Sequence, residues 1–505
     1  MHLHTLSAAV LLAIGTLAAA APAADLKKLN SCLKPLGGKV ITSNNRSQYE
    51  KERYAFDLRY TFKPQVIVMA KSNADVQTAV KCAKDANVAV TPRSGGHSFE
   101  GYCIGGQDGS LVLDLTAMNA VKVTGDRAKV GAGIRLGKLY LDLFKQGGWT
   151  INAGTCPSVG IGGHALGGGF GLLARKHGLL IDSILEMEMV NAEGQLLTVS
   201  AQKNPDLFFA LRGAGSGSFG VVTSFTIKPV KPAPKVTSFS YEWKLSDHAQ
   251  VLRAYIDLQA KAPRDLGVEM NVGSSGLELY GIFQGTKSQQ AAALASFFKA
   301  VPKPKADVRE TRHVDAQLRF AFVEGGKEGD IEGLALTGKY RAGDSRYTKG
   351  KSLIYPSALK PSTIALLGKW AAIKPKGATS NYIIVDLWGG AVSDHAATET
   401  SFVHRNAHSV FEFVVEWSEG SNAKPGKADC KPCLKWMDDM FKEFLDDYKK
   451  NNYDSVARGY QNYIDRAMPN WTEAYYGQAM PRLKQIKSAV DPANVFRFPQ
   501  SIPLK

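Results

Sequence analysis

The chain has 505 residues, 44% of them hydrophobic and 21% charged, the balance of a soluble globular protein with room for two or three domains, which excludes a chain built mainly of membrane spans. Lys and Arg number 62 against 46 Asp and Glu, a net charge of +16, yet no basic run reaches five residues. The charge therefore reads as a solvated basic surface and not as a nucleic-acid site, with acidic cell-wall polymer or an acidic substrate as the alternative partner.

The first 24 residues contain no Asp, Glu, Lys or Arg. An apolar run over residues 6–21 ends in Ala-Pro-Ala-Ala before Asp25, the pattern of a secretory signal peptide. The run is short for a membrane anchor and has no later counterpart. A secreted, extracellular protein is expected, with residues 1–24 removed. Export opens the sequons Asn45-Arg-Ser and Asn470-Trp-Thr to glycosylation. It also makes the six cysteines disulfide candidates, although six allow fifteen pairings. Cys430-Lys-Pro-Cys433 is the sole CxxC. Without a second pair nearby it reads as a local disulfide or a plain surface loop, and no metal site is expected.

From residue 63 short apolar runs alternate with helical patterns. Residues 65–69 read as a strand. Residues 73–86 read as a helix capped by Ser72 or Asn73, with Val76, Ala79, Val80 and Ala83 on one face. A strand over 88–90 runs into Pro92-Arg-Ser-Gly-Gly-His97, and further strands are expected over 110–114, 128–130 and 195–200. This alternation predicts an α/β nucleotide-binding region up to about Pro229. The stretch Pro-Val-Lys-Pro-Ala-Pro at 229–234 breaks the composition and marks a boundary. Beyond it, period-two apolar patterns over 238–243, 382–388 and 410–417 predict antiparallel strands, with helices over 247–261, 288–301 and 434–450.

Two glycine-rich segments carry the chemistry. In Arg93-Ser-Gly-Gly-His-Ser98, adjacent glycines let backbone N–H groups turn toward a bound anion. In Gly160-Ile-Gly-Gly-His-Ala-Leu-Gly-Gly-Gly-Phe-Gly171, seven glycines in twelve residues disfavour a helix interior and predict extended backbone against a flat or charged ligand. Neither is a dinucleotide fingerprint with its acidic residue about 20 positions on. Between them lies Ala153-Gly-Thr-Cys-Pro-Ser158, where Pro157 keeps Cys156 out of helical geometry. Taken alone, Cys156 reads as a structural or disulfide cysteine and His97 as a hydrogen-bonded loop histidine.

The combination, R-S-G-G-H-S followed by G-T-C-P and G-I-G-G-H-A-L-G-G-G-F-G, resembles the berberine-bridge-enzyme-like branch of the vanillyl-alcohol-oxidase flavoprotein family, and within it the fungal oligosaccharide oxidases. The resemblance runs from Cys32 to the end of the chain. It implies an α+β fold, with a two-part α/β FAD-binding domain (residues 25–232), a substrate domain of antiparallel sheet covered by helices (233–455), and a C-terminal segment (456–505) returning to the FAD-binding domain. It implies FAD held by two covalent bonds, from His97 to the flavin 8α-methyl and from Cys156 to flavin C6. Further cofactor contacts would come from Arg93, Ser94, Gly95, Gly96, Ser98, Val159, Gly160, Gly163, His164, Gly168 and Asn462. Cys32 and Cys82 match the family's N-terminal disulfide.

The same resemblance extends to Tyr460-Gln-Asn-Tyr463-Ile-Asp465, whose second tyrosine is the general base of the carbohydrate-oxidising members. Asp386, from Asp386-Leu-Trp-Gly-Gly390, matches the aspartate that contacts it. Tyr460, Trp388, Glu412 and Phe99 fall at or near substrate positions. Phe99 and Ile384 replace hydrogen-bonding residues of the glucooligosaccharide oxidases, so the preferred guest is expected to differ. Val159 matches a small residue that admits oxygen in plant relatives. The implied protein is a monomeric oxidase of oligosaccharide reducing ends, turning a C1 hydroxyl into a lactone and O2 into H2O2, without nucleic-acid or membrane partners. An oxidase or dehydrogenase of a secondary metabolite or aromatic alcohol is the alternative. A non-catalytic flavin-holding protein is opposed by the presence of Tyr463 and Asp386.

Overall fold

The structure, a computed structural model, describes residues 23–321, 329–335, 345–417 and 425–505. The apolar stretch over 6–21 lies outside the described residues.

Three sheets organise the chain. The first contains β1 (Val40–Ile41), β2 (Val66–Met69), β3 (Val90–Arg93) and β4 (Leu111–Asp114) in the order β1-β2-β4-β3, with β2, β4 and β3 parallel. Val66, Ile67 and Val68 have no exposed surface, which explains their unbroken apolar run, since a parallel strand is covered on both faces. The helix Asn73–Asp85 that follows β2 starts where expected, because the Ser72 side chain accepts from the Asp75 N–H and satisfies a donor the helix cannot. A disulfide joins Cys82 on this helix to Cys32 on the helix Leu26–Leu33. It closes a 50-residue separation, worth about 4 kcal/mol in the chain-entropy account. The double variant Cys32→Ala/Cys82→Ala is expected to lower the thermal midpoint by several degrees in calorimetry, without moving flavin content.

The second sheet has β5 (Val121–Thr124), β6 (Arg127–Gly131), β7 (Ile184–Val190), β8 (Leu196–Ser200) and β9 (Val221–Ile227) in the antiparallel order β5-β6-β9-β7-β8. The third is antiparallel and seven-stranded: β10 (Val236–Trp243), β11 (Leu266–Gly273), β12 (Gly276–Phe283), β13 (Lys305–Thr311), β14 (Tyr347–Tyr355), β15 (Ser380–Leu387) and β16 (Ser409–Trp417), ordered β13-β10-β12-β11-β15-β16-β14. Helices His248–Gln259, Pro361–Ala371 and Lys431–Lys450 cover one of its faces. Tyr255 of the first donates its hydroxyl to the Val385 carbonyl, 2.8 Å away. These sheets and helices give the α+β architecture expected. The single helix predicted over 288–301 is instead two, Lys287–Ala293 and Ala295–Ala300, interrupted at Leu294, which is fully buried with non-helical backbone. Cys430 and Cys433 form a local disulfide at the start of the helix Lys431–Lys450.

The end of the chain packs on the first sheet. Val90 N–H donates to the Val495 carbonyl at 2.9 Å, and Tyr102 donates to Gln500 at 2.8 Å. Buried Lys487 donates to the carbonyls of Ser218 and Phe496 and pairs with Asp491, leaving none of its donors without an acceptor.

Candidate active site

The loop carrying His97 leaves the C-terminal end of β3. Arg93 fixes its root: the guanidinium is buried, with Nε 2.6 Å from Asp114 and Nη1 2.7 Å from the Glu52 carbonyl. Arg93 was expected to contact the cofactor, but these partners turn it into the protein, where it anchors the loop. Ser94 donates to the Ala132 carbonyl at 2.7 Å and accepts from the Gly162 N–H at 3.4 Å. Ser98 accepts from the Tyr102 N–H at 3.2 Å. Gly96 has φ +76°, a left-handed conformation that suits glycine, and its carbonyl accepts from the Phe56 N–H.

The second loop meets the first through glycine. A Cβ on Gly95 would sit 2.1 Å from the Gly160 nitrogen, and one on Gly160 would sit 2.0 Å from the Gly95 nitrogen. Only at this spacing do the backbones that bear His97 and Cys156 lie against each other. Val159 holds the loop by accepting from the Leu136 N–H at 2.9 Å. The Cys156 thiol is exposed, 3.4 Å from the Ser158 hydroxyl, and outside any disulfide. The His97 ring stacks on Phe56 with centroids 4.2 Å apart. Burial, then the charges of Arg135 and Arg346, push its pKa down to about 3, so the imidazole is neutral at any ordinary pH and keeps a lone pair.

Beyond Gly160 the expected extended stretch is in part a short helix, Ile161–Leu166. Its glycines serve close packing: a Cβ on Gly162 would lie 2.9 Å from the Ala132 carbonyl oxygen. Gly163, by contrast, is exposed, with nothing within 4 Å of a Cβ position. After the helix the backbone turns, with φ +124° at Gly168 and +77° at Gly169, conformations that suit glycine. His164 Nε2 accepts from the Gly154 N–H at 3.1 Å, which ties the helix to the Cys156 loop. Asn462 donates to the His164 carbonyl at 3.0 Å and to the Tyr460 hydroxyl at 2.8 Å. A neutral imidazole and an exposed thiol, both able to bond to an electrophilic carbon, thus flank glycine backbone that offers N–H groups without side chains. This donor set fits a flavin dinucleotide.

The third sheet supplies acid. Register sets Glu269 on β11 opposite Asp386 on β15, and Ile384 on β15 opposite Glu412 on β16. Period-two alternation puts all four on one face. Burial, followed by mutual repulsion, raises the Asp386 pKa well above the carboxylate range, and that of Glu412 to about 8. Burial also raises Glu269 to about 7, its carboxylate accepting from the Tyr280 hydroxyl. Asp386 Oδ1 is buried without a hydrogen-bond partner. Tyr463 stands over this face, with Glu412, Asp386 and Glu269 close enough to act on its phenol through charge. Burial and these acids hold the phenol well above its usual pKa of 10. Phe99 packs tilted beside it, 6.2 Å between centroids, on the backbone of Gly350.

Tyr463 is fixed from behind. Two residues on, Asp465 is buried and bonded to Lys349 and, at 2.7 Å, to Lys351, both on β14. Lys349 also reaches Glu100 at 2.5 Å, the residue after Phe99.

Two substrate expectations are corrected. Tyr460 is 2% exposed, its hydroxyl accepting from the Gly169 and Phe170 N–H groups, and Trp388 is 0% exposed, stacked between Phe170 and Phe402. Neither ring presents a face to a sugar. Glu412, expected to contact substrate, lies on the sheet face beneath Tyr463. Sequence reasoning missed Glu269, although apolar residues at 266, 268, 270 and 272 alternate around it. It also missed Arg346, which pairs with Glu416 at 3.1 Å and lies within Coulombic reach of His97 and Cys156.

A family profile described as "FAD binding domain" matches residues 64–200, and one described as "Berberine and berberine like" matches 459–503. A xylooligosaccharide oxidase of Thermothelomyces thermophilus is 30% identical over 99% of this chain and 99% of its own. The wild-type BBE-like 1 structure from Physcomitrella patens superposes with a TM-score of 0.85 at 34% identity, covering 94% of this chain and 99% of the other. A glucooligosaccharide oxidase structure from Acremonium strictum, described as carrying a 6-S-cysteinyl, 8α-N1-histidyl FAD, superposes at 0.83 with 26% identity over 94% of this chain and 99% of its own.

Proposed function

The chain belongs to the berberine and berberine-like family of FAD-linked oxidoreductases, and from that premise we propose that it is a secreted oxidase of oligosaccharide reducing ends. Residues 1–24 serve as its signal, 25–232 and 456–505 form the FAD-binding part, and 233–455 form the substrate part. His97 and Cys156 are the two points of flavin attachment. What supports this reading is the neutral, stacked imidazole of His97 beside the exposed thiol of Cys156, together with the bicovalent flavin of the glucooligosaccharide oxidase.

Bound flavin supplies a hydride acceptor that returns its electrons to O2 as hydrogen peroxide. The chain handles the proton. Tyr463 Oη takes the proton of the C1 hydroxyl while passing its own to the Glu412 carboxylate, so that C1 becomes the lactone carbonyl as its hydride departs. A free phenolate would be repelled by Glu412, Asp386 and Glu269, and a relay avoids forming one. Asp386, with its unpartnered Oδ1, orients the donor from the same face. The observation that carries the proposal is the placement of Tyr463 over the acidic sheet face, within reach of the charges of Glu412, Asp386 and Glu269.

A second reading, oxidation of an aromatic alcohol or secondary metabolite, is favoured by one observation: Phe99 and Ile384 present part-exposed apolar surface on the Tyr463 side of the sheet. Peroxide release measured with cello-, xylo- and chito-oligosaccharides against benzylic alcohols separates the two. Turnover of the sugars is expected; turnover of the alcohols alone discards the sugar.

A further inference from the structure

Away from Tyr463, where residues 232–234 cross the helix His313–Phe320, lies a cleft of about 190 Å³ bordered by Phe144, Trp149, Thr150, Arg312, His313 and Gln317. A second void of about 20 Å³ shares His313 and Gln317 with it and is bordered also by Gly154 and Thr155. His313 is 5% exposed, and its Nε2 is buried without a partner.

The hydrogen bonds around His313 fix what that nitrogen carries. The Ala233 N–H donates to Gln284 Oε1 at 3.1 Å, which leaves the Gln284 NH2 to donate to His313 Nδ1 at 3.4 Å. Nδ1 is therefore an acceptor, and the proton of the imidazole sits on Nε2. Burial, then the charge of His177, push the pKa down to about 4, so the ring stays neutral. A buried N–H donor without an acceptor thus sits in the wall of the cleft and calls for an oxygen.

The other walls narrow the guest. Arg312 is closed by two bonds to Asp315, and Lys231, over the Trp149 ring, donates to the Gly147 carbonyl, so an anion meets no uncommitted cation here. A purely apolar guest would leave the His313 donor unmet. Gln317 donates to Thr150 Oγ1 at 3.3 Å, which leaves its amide oxygen as an acceptor, and Phe144 and Trp149 add aromatic surface. About 150 Å³ suffices for a six-membered ring. A neutral hydroxylated ring with an apolar face meets all these requirements.

We propose that this cleft is an accessory carbohydrate-binding site for one pyranose unit, with His313 Nε2 donating to a sugar oxygen and Gln317 accepting from a sugar hydroxyl. None of these residues belongs to the candidate catalytic machinery, so the site stands whether or not the oxidised substrate is a sugar.

The test uses the holoenzyme and methyl β-glucopyranoside, which has no free C1 hydroxyl and is not oxidised. Binding is read by titration calorimetry. Wild type is expected to bind it. His313→Phe and, at a part-exposed position, Gln317→Leu are each expected to raise Kd about tenfold, the weight of one hydrogen bond, with kcat and KM for the oxidised donor unchanged. His313→Gln, which keeps a donor, is expected to retain binding. Absence of binding by wild type overturns the proposal, as does a Kd that neither His313→Phe nor Gln317→Leu alters.

Discussion

Protein precipitated with acid is expected to stay yellow, with one FAD per chain in the pellet and none in the supernatant. His97→Ala and Cys156→Ala should each leave the flavin attached through the remaining residue, and the double variant should release it completely. The largest change is therefore in the double variant, from full retention to none, read as flavin absorbance and intact mass without any substrate. The physical ground lies in the state of the two side chains. An imidazole held neutral down to pH about 3 has its lone pair available throughout the working range. The thiol is exposed, and its loop touches the histidine loop through Gly95 and Gly160. Gly160→Ala is accordingly expected to lower attachment, because its methyl group would meet the Gly95 backbone. Flavin appearing in the supernatant of acid-treated wild type would remove both linkages at once.

Tyr463→Phe is expected to lower kcat by about 10²–10⁴-fold with flavin attachment intact, the range for losing a positioned proton acceptor. Glu412→Gln probes the relay through its pH dependence. The Glu412 pKa is pushed up to about 8, and the form that accepts a proton is the carboxylate. Below pH 8 that form becomes scarcer, so kcat/KM should rise roughly tenfold per pH unit toward 8 and then level off. In Glu412→Gln this rising limb should vanish at a lower overall rate. Stability runs the other way. A carboxyl with a raised folded pKa contributes stability fully below its unfolded value near ~4.3, and that contribution is lost as pH rises through about 8. The thermal midpoint of wild type should therefore fall over this interval, and that of Glu412→Gln should fall less. A rising limb that survives in Glu412→Gln assigns the proton to another acceptor.

The parts of the fold that packing alone decides were readable in the residues. Residues 65–69 and 73–86 gave β2 and its helix within a residue or two, because an unbroken apolar run and a 3.6-residue stripe with a serine cap leave little choice. Of the strands that build the site, β15 and β16 were expected over 382–388 and 410–417, and β14 was the hard one. β14 reads Tyr-Thr-Lys-Gly-Lys-Ser-Leu-Ile-Tyr and is buried at every position, its lysines neutralised by Asp465 and Glu100, partners more than a hundred residues away. No local periodicity announces a strand whose charges are satisfied at that range. Similarly, Asp386 was expected to contact the tyrosine, and its motif was visible, but Glu412 and Glu269, which share its face beneath Tyr463, carried no such signal for a proton-handling role. Which carboxylate meets the phenol depends on cross-strand register, and register is a property of the assembled sheet. The glycine-rich segment misled for a different reason. Gly162 and Gly167 serve close packing against Ala132 and Asn462, so a short helix forms despite its composition.

Lys349, Lys351, Asp465 and Glu100 form a buried quartet with no net charge, drawn from β14, the loop behind Tyr463 and the segment behind Phe99. Shifting β14 away from these two segments would break the pairs and leave ammonium and carboxylate groups buried without their partners. These segments are thus latched into one cooperative unit, a mechanical clasp that discourages hinge opening and holds Tyr463 and Phe99 in a fixed relation.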